Sequence, residues 1–296
     1  MSNSTLKISA RNAGQVALEK YCPRCCWYLL RLKHWPFQFG MPGIMFYLEQ
    51  AQKAYIFKYL KKFRKLPESF GSFSDCTEPV DFPFSMEAFH EESGVLVTAR
   101  ADMMLRMPSG NICLLDLKTS KVEGGGKMFL PQYQIQTIGY SWVTEAAGVG
   151  KVEKAGLIYC QIQHEIFKQD PLDFSDESII LMPFEFIGHE VDLDYERFTE
   201  CLKEMNRLWN EPSPPRGADN CKDCALLSRV IDFETSLRAE DSYQALSSSG
   251  MRDVIYTRQY DRVLARGNDA LQRSLDWETS RDELGDGLWD HWDFSS

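Results

Sequence analysis

The chain has 296 residues, of which 44% are hydrophobic and 26% charged. Those are ordinary proportions for a globular protein built as one large domain or a domain with an appendage. No uninterrupted apolar stretch is long enough to span a bilayer, and residues 1–15 lack the apolar core of a secretory signal, so a cytoplasmic protein without membrane contact is expected. The net charge of −10 argues against a surface coated by nucleic acid, since phosphate binding calls for Lys and Arg, but leaves room for a local basic groove.

In chain order, residues 14–33 read as a helix interrupted by "CPRCC". Residues 42–63 read as a long helix with a proline at its start and a basic end. Residues 65–79 read as a loop. Strands are expected within residues 81–90, 94–107 and 112–120, the last two joined as a hairpin through Pro108-Ser109-Gly110. A three-residue turn of this kind wants a left-handed residue, which Gly110 supplies. In that register Met107 faces Asn111, and counting back sets Asp102 opposite Asp116. Asp116 and Lys118, two apart on one strand, share a face. One turn assignment therefore gathers Asp102, Asp116 and Lys118, and a slip of one residue would send Asp102 to the other face.

A flexible glycine loop follows. Residues 129–148 read as a helix with Pro131 in its first turn and Gly148 near its stop. On it Gln136 and Tyr140 share a face. Residues 154–165 and 178–186 read as strands and residues 194–210 as a helix. A proline-rich linker over 211–220 leads to Cys221 and Cys224. Residues 230–272 look helical, and the last stretch is acidic and aromatic. The alternation of helices and strands predicts an α/β fold, a central mixed β-sheet flanked by helices, with a C-terminal helical extension. The expected divisions are 1–232, 233–275 and 276–296, the last of these disordered.

Two carboxylates on neighbouring strands make an oxygen-rich site suited to Mg²⁺ or Mn²⁺, the remaining ligands being waters, a backbone carbonyl such as that of Leu117, and a substrate phosphate. A lysine on the same face can orient the attacking water or stabilise charge in the transition state. The plainer reading of Asp116 and Lys118 is a salt bridge at a strand end.

Nine cysteines in a chain expected in the cytoplasm do not suggest a disulfide framework. Cys76, Cys113, Cys160 and Cys201 stand alone and read as small buried hydrophobes. Cys22/Cys25 and Cys221/Cys224 are two Cys-x2-Cys pairs, with Cys26 adjacent to the first. Together they offer a four-thiolate site for zinc or an iron–sulfur cluster. The five histidines show no ligand spacing.

The segments "ARADMML", "LLDLKTS" and "QIQTIGY", with the opening "YCPRCCWYLL", resemble the PD-(D/E)XK nuclease superfamily, and most of all its RecB-like branch. The resemblance spans roughly residues 14–224. It implies that Asp102 and Asp116 bind the divalent metal, that Lys118 is catalytic, and that Gln136 and Tyr140 shape the site for DNA, single-stranded or at its ends. That branch often carries a histidine or an acid on the helix before the hairpin. Here Tyr47 stands near that place, and Glu49 is the candidate extra metal ligand, with Glu87 as a second possibility and pairing to Lys53 as the plain alternative. Similarity to the CRISPR-adaptation exonucleases and the AddB-type nucleases implies an iron–sulfur cluster on the cysteines. Those relatives take one cysteine from the N-terminal side and three from the C-terminal side, whereas this chain offers two and two.

The expected function is a metal-dependent DNA exonuclease or end-processing nuclease. A non-catalytic subunit that keeps the fold within a larger repair, CRISPR or phage complex is the alternative, and an unrelated zinc-clipped protein is a third. The acidic aromatic tail is a candidate docking peptide for a protein partner.

Overall fold

A computed structural model describes residues 5–33, 43–120, 125–163 and 183–247. The expected tail at 276–296 lies outside these residues, as does most of the strand expected over 178–186. The chain opens with a short strand β1 (Leu6–Ser9), a single turn of helix α1 (Ala10–Ala13) and a 3₁₀ turn (Gly14–Ala17). The helix expected from residue 14 is therefore confined to α2 (Pro23–Leu32). "CPRCC" starts this helix rather than interrupting it: Cys22 is the N-cap and Pro23 occupies the first turn, where a missing N–H costs nothing.

Helix α3 (Gly43–Phe63) is followed by a 3₁₀ segment (Glu68–Phe73) and a two-residue strand β2 (Glu78–Pro79), so the loop expected there carries structure of its own. Strands β3 (Met86–His90), β4 (Val95–Ala99), β5 (Met103–Arg106) and β6 (Ile112–Lys118) come next. The segment 94–107, read from sequence as one strand, breaks after Ala99. Its first half joins a three-stranded sheet ordered β1-β4-β3, and its second half joins a separate sheet. Helix α4 (Gly125–Ala146), strands β7 (Val152–Ile162) and β8 (Phe184–Val191), and helix α5 (Tyr195–Asn210) complete the unit. Pro131 lies inside α4 rather than in its first turn, because the helix begins at Gly125, within the expected glycine loop.

The larger sheet is ordered β2-β5-β6-β7-β8. Its hairpin has the register read from the turn: Met103 pairs with Leu115, Leu105 with Cys113 and Arg106 with Ile112. Gly110 sits at φ +88°, the conformation the turn needs. Strands β6 and β7 are parallel, which requires a crossover, and α4 provides it.

Alternation along β6 sends successive side chains to two different cores. Cys113, Leu115 and Leu117 pack with Ile56 and Leu60 of α3 and with Phe70 and Phe73 of the 3₁₀ segment. Ile112 and Leu114 face Ile135, Ile138 and Val143 of α4, with Phe198 and Leu202 of α5 behind them. Asp116 and Lys118 continue that second row, so they emerge beneath α4. The four lone cysteines are buried, as expected of small hydrophobes.

One compact unit spans Met1–Leu226 and a second begins at Leu227. The final described helix, α6 (Lys222–Ser247), begins earlier than expected and runs unbroken through position 232, where the domain boundary was placed. Among the described residues no helix is long and apolar enough to cross a membrane.

Candidate active site

The site forms where β5 begins and β6 ends. Odd-numbered residues of β6 direct their backbone groups toward β5, but β5 starts only at Met103. Leu117 therefore lies past the last paired residue. Its N–H is taken by the Asp102 carboxylate, with Oδ2 at 2.8 Å, and its carbonyl faces the same edge. Asp102 so closes the ladder with its side chain and is held on the face of Asp116.

Asp116 is almost fully buried and its carboxylate is paired to the Lys118 ammonium. Its other oxygen accepts a hydrogen bond from the Gln136 amide at 3.2 Å. The same amide nitrogen donates to the Tyr140 hydroxyl at 2.8 Å, and the Gln136 carbonyl accepts from Lys118 at 3.3 Å. The lysine also lies over the Tyr133 ring, 4.4 Å from its centre. Five residues named from sequence, Asp102, Asp116, Lys118, Gln136 and Tyr140, thus meet in one place.

Burial pushes the Asp116 carboxyl up to about 6; Lys118 opposes the rise and the neighbouring Asp102 charge adds to it. Burial, reinforced by the Asp116 charge, also raises the Tyr140 phenol and keeps it protonated. A buried acid beside a second acid is costly unless cations neutralise it. Two lysines do so here. The second, Lys53 of α3, was not singled out as a site residue. It reaches Asp102 Oδ1 at 3.3 Å and Glu49 at 2.7 Å. Burial would lower its pKa, but the Asp102 and Glu49 charges outweigh burial and raise it. Its i+4 spacing from Glu49 was visible in the sequence; its reach to Asp102 depends on where α3 crosses β5.

Glu49 thus approaches the pair through Lys53 rather than joining the two aspartates. Among the described residues, the one group of three or more metal-ligating side chains with donor atoms within 4.8 Å of one another is the cysteine set, so the acids supply two close carboxylates and a third at one remove. Two carboxylate oxygens and the Leu117 carbonyl edge form a hard donor set that fits Mg²⁺ or Mn²⁺. Glu87 is elsewhere, on β3 of the smaller sheet, paired to Lys7 on the surface. Tyr47, near the place of the expected histidine, is exposed and lies edge-on to Phe46. Of the basic stretch at the end of α3 and just beyond it, Lys58, Lys61, Lys62, Arg64 and Lys65 are exposed.

Cys22, Cys25, Cys221 and Cys224 converge at the opposite ends of the first unit's chain, with sulfur separations of 3.5 Å (Cys22–Cys224), 3.4 Å (Cys25–Cys221) and 3.6 Å (Cys25–Cys224). Cys26 points instead into the buried core. Trp27 donates its indole N–H to the Glu211 carbonyl and so ties α2 to the linker.

The family description PD-(D/E)XK nuclease superfamily matches residues 31–229. Solved structures similar to the chain include the following three. The protein SSO0001 shares 16% identity over 72% of this chain and 81% of its own, with a TM-score of 0.38. An alkaline exonuclease from Laribacter hongkongensis shares 13% over 80% and 95%, with a TM-score of 0.35. A phage-related exonuclease from Haemophilus somnus 129PT shares 12% over 70% and 92%, with a TM-score of 0.36. No curated protein matches the chain by sequence.

Proposed function

The chain belongs to the PD-(D/E)XK nuclease superfamily, and from that premise we propose that it is a divalent-metal-dependent deoxyribonuclease acting at DNA ends or on single strands. The observation that carries this reading is the hydrogen-bonded set joining Asp102, Asp116, Lys118, Gln136 and Tyr140 at the C-terminal end of β6. Asp102 and Asp116, with the Leu117 carbonyl, would hold Mg²⁺ or Mn²⁺, and Glu49 would join them once Lys53 lets go. A bound divalent ion lowers the pKa of water and neutralises phosphate charge.

The chain's own groups then have separable tasks. Gln136 fixes the rotamer of Asp116 from the helix side and holds Lys118 through its carbonyl oxygen. Lys118, on the same face as Asp116, would direct its ammonium to the scissile phosphate or its attacking water. Tyr140, kept protonated, holds the Gln136 amide in place. The buried row from Ile112 to Asp116 keeps these groups on a rigid strand rather than a loop.

A second reading is favoured by one feature: Lys53 and Lys118 neutralise both aspartates without any metal. In that case the chain is a non-catalytic DNA-binding or structural subunit. The two readings separate when end-labelled single- and double-stranded DNA is incubated with Mg²⁺ or Mn²⁺ beside the Lys118→Ala protein. Metal-dependent cleavage lost in the variant supports the nuclease. DNA retained but left intact by both proteins supports the subunit.

A further inference from the structure

We propose that one flank of α3 is a path for a single strand of DNA, with unpaired bases stacking on Tyr55, Tyr59 and Phe63 and phosphates meeting Lys62 and Lys65. The proposal rests on the nuclease reading for DNA as the occupant, and its test measures binding apart from cleavage.

The residues of α3 divide by face. Gln52, Ile56 and Leu60, four apart, are its buried residues and set the line that faces inward. Tyr55, Tyr59 and Phe63 keep the same spacing one position to the side. Their rings adjoin: the centres are 6.0 Å apart for Tyr55 and Tyr59, and 4.5 Å apart for Tyr59 and Phe63. Tyr55 also lies parallel to Phe186 of β8, within 6° at 5.4 Å. Phe186 in turn packs on Phe70 and the buried core. The row is therefore anchored at one end, yet open to solvent, with Tyr55 48% and Phe63 47% exposed. Single exposed rings are ordinary, whereas a contiguous row marks an interaction surface. A ring held in place and left open is a stacking platform for any base, since every base has a π-face.

The charge beside the row selects the partner. From Lys58 to Lys65 five of eight residues are Lys or Arg and none is acidic, in a chain of net charge −10. A helix C-terminus favours cations only within its last turn, and Arg64 and Lys65 lie beyond the end of α3. Arg64 sits at φ 54°, a left-handed position usually given to glycine, so a charge stands there against the backbone preference. The Lys62 ammonium lies 5.1 Å from the centre of the Phe63 ring, which sets a cation next to a ring as a phosphate is set next to its base. A second copy of this chain pairing through the same face would bring like charge to like charge. A polyanion that carries flat rings of its own matches both features.

The row is also placed to serve the site. It begins at Tyr55, two residues after Lys53, which reaches Asp102. Gln52 donates to the Thr119 hydroxyl at 2.8 Å, next to Lys118. From Tyr55 to Phe63 the helix rises about 12 Å, room for about three nucleotides of a stacked strand leading from the aspartates to the basic end.

The test is binding of a fluorescent oligothymidylate to the full chain, followed by anisotropy without added divalent ion so that no strand is cut. Tyr55→Ala and Phe63→Ala should each weaken binding about 5-fold or more, and Tyr55→Trp, which keeps a stacking face, should bind as the wild type does. Lys62→Gln with Lys65→Gln should reduce the slope of log K against log salt by about 1.4, at about 0.7 for each phosphate contact on a single strand. In the wild type, a strand carrying iododeoxyuridine should cross-link on irradiation to Tyr55, Tyr59 or Phe63, a readout that needs no variant to fold. Unchanged affinity in both alanine variants, cross-links confined to other residues, or no binding by the wild type would overturn the path, and cleavage by that wild type with Mg²⁺ would leave the nuclease reading standing. Binding that depends on the rings in a protein that never cleaves would support the path and remove the nuclease reading. Equal losses on blunt duplex DNA would overturn the path, since paired bases offer no free face. A dimer that Phe63→Ala dissolves while DNA binding is unchanged would give the face to a second copy instead.

Discussion

Asp102 accepts the Leu117 N–H at 2.8 Å, replacing with a side chain the backbone partner that β5 no longer supplies. This one bond ends the hairpin, turns Asp102 toward Asp116, and leaves the Leu117 carbonyl on the same edge. A carboxylate used this way is fixed in position before any cation arrives. Asp102→Ala should therefore lose metal binding and also loosen the strand end. Asp102→Asn, which keeps a carbonyl oxygen for the Leu117 N–H, should retain the fold's thermal stability within a few degrees while losing cleavage. Thermal denaturation beside a nuclease assay checks both.

Gln136 touches Asp116, Lys118 and Tyr140. It acts through those groups. Truncating such an outer partner typically costs about 10- to 100-fold in activity or metal affinity, and Gln136→Ala is expected in that range, with KM for DNA changed less than kcat. Gln136→Glu sets a carboxylate against the buried Asp116 and should be worse than alanine. Steady-state kinetics on one labelled substrate distinguishes the outcomes.

Lys53 bridges Glu49 and Asp102. With Lys53→Gln, these acids lose a cation and repel one another and Asp116. The metal-free protein should melt at lower temperature, and Mn²⁺ should raise its Tm by more than it raises that of the wild type. If Lys53 is a plain structural tether, Mn²⁺ will not recover the lost stability.

His90 gives a stability prediction away from the site. Its Nδ1 accepts the Ser93 N–H at 3.2 Å, and Thr199, whose hydroxyl donates to the Tyr195 carbonyl, leaves its oxygen for the His90 Nε2–H at 3.2 Å. The ring is thus held neutral. Burial lowers its pKa, with Lys203 acting the same way and Glu92 opposing. A folded-state pKa below the unfolded value means that the unfolded chain binds the proton first. Stability from this group is present above about pH 6.5 and is lost as pH falls through the lowered folded value. Urea denaturation from pH 7 down to 5 should show the loss, and His90→Gln should flatten it.

Much of the site was legible because it rests on local rules. Gly110 fixed the turn, the turn fixed the register, and the register set Asp102 opposite Asp116. The two-residue period placed Lys118 beside Asp116, and the helical period placed Gln136 and Tyr140 on one face. The pairing of Cys-x2-Cys segments was likewise a matter of spacing. What was not legible depends on contacts between distant segments. The four residues of β1 pair with β4 in parallel and carry too short a pattern to be read as a strand. The break at Arg100–Asp102 reflects a choice between two sheets, which no alternation of apolar residues records. Lys53 enters the site only because α3 packs across the outer face of β5 and β6.

The account turns on whether Asp102 and Asp116 form a cation site or a salt-bridged strand end. The most direct measurement is Mn²⁺ binding to the full chain, followed by the loss of the free-ion EPR signal, beside the Asp102→Asn/Asp116→Asn protein. The account predicts binding by the wild type that is competed by Mg²⁺ and abolished in the double variant. Equal binding by both proteins, or none by either, would contradict it and leave the two lysines as the permanent partners of the two acids.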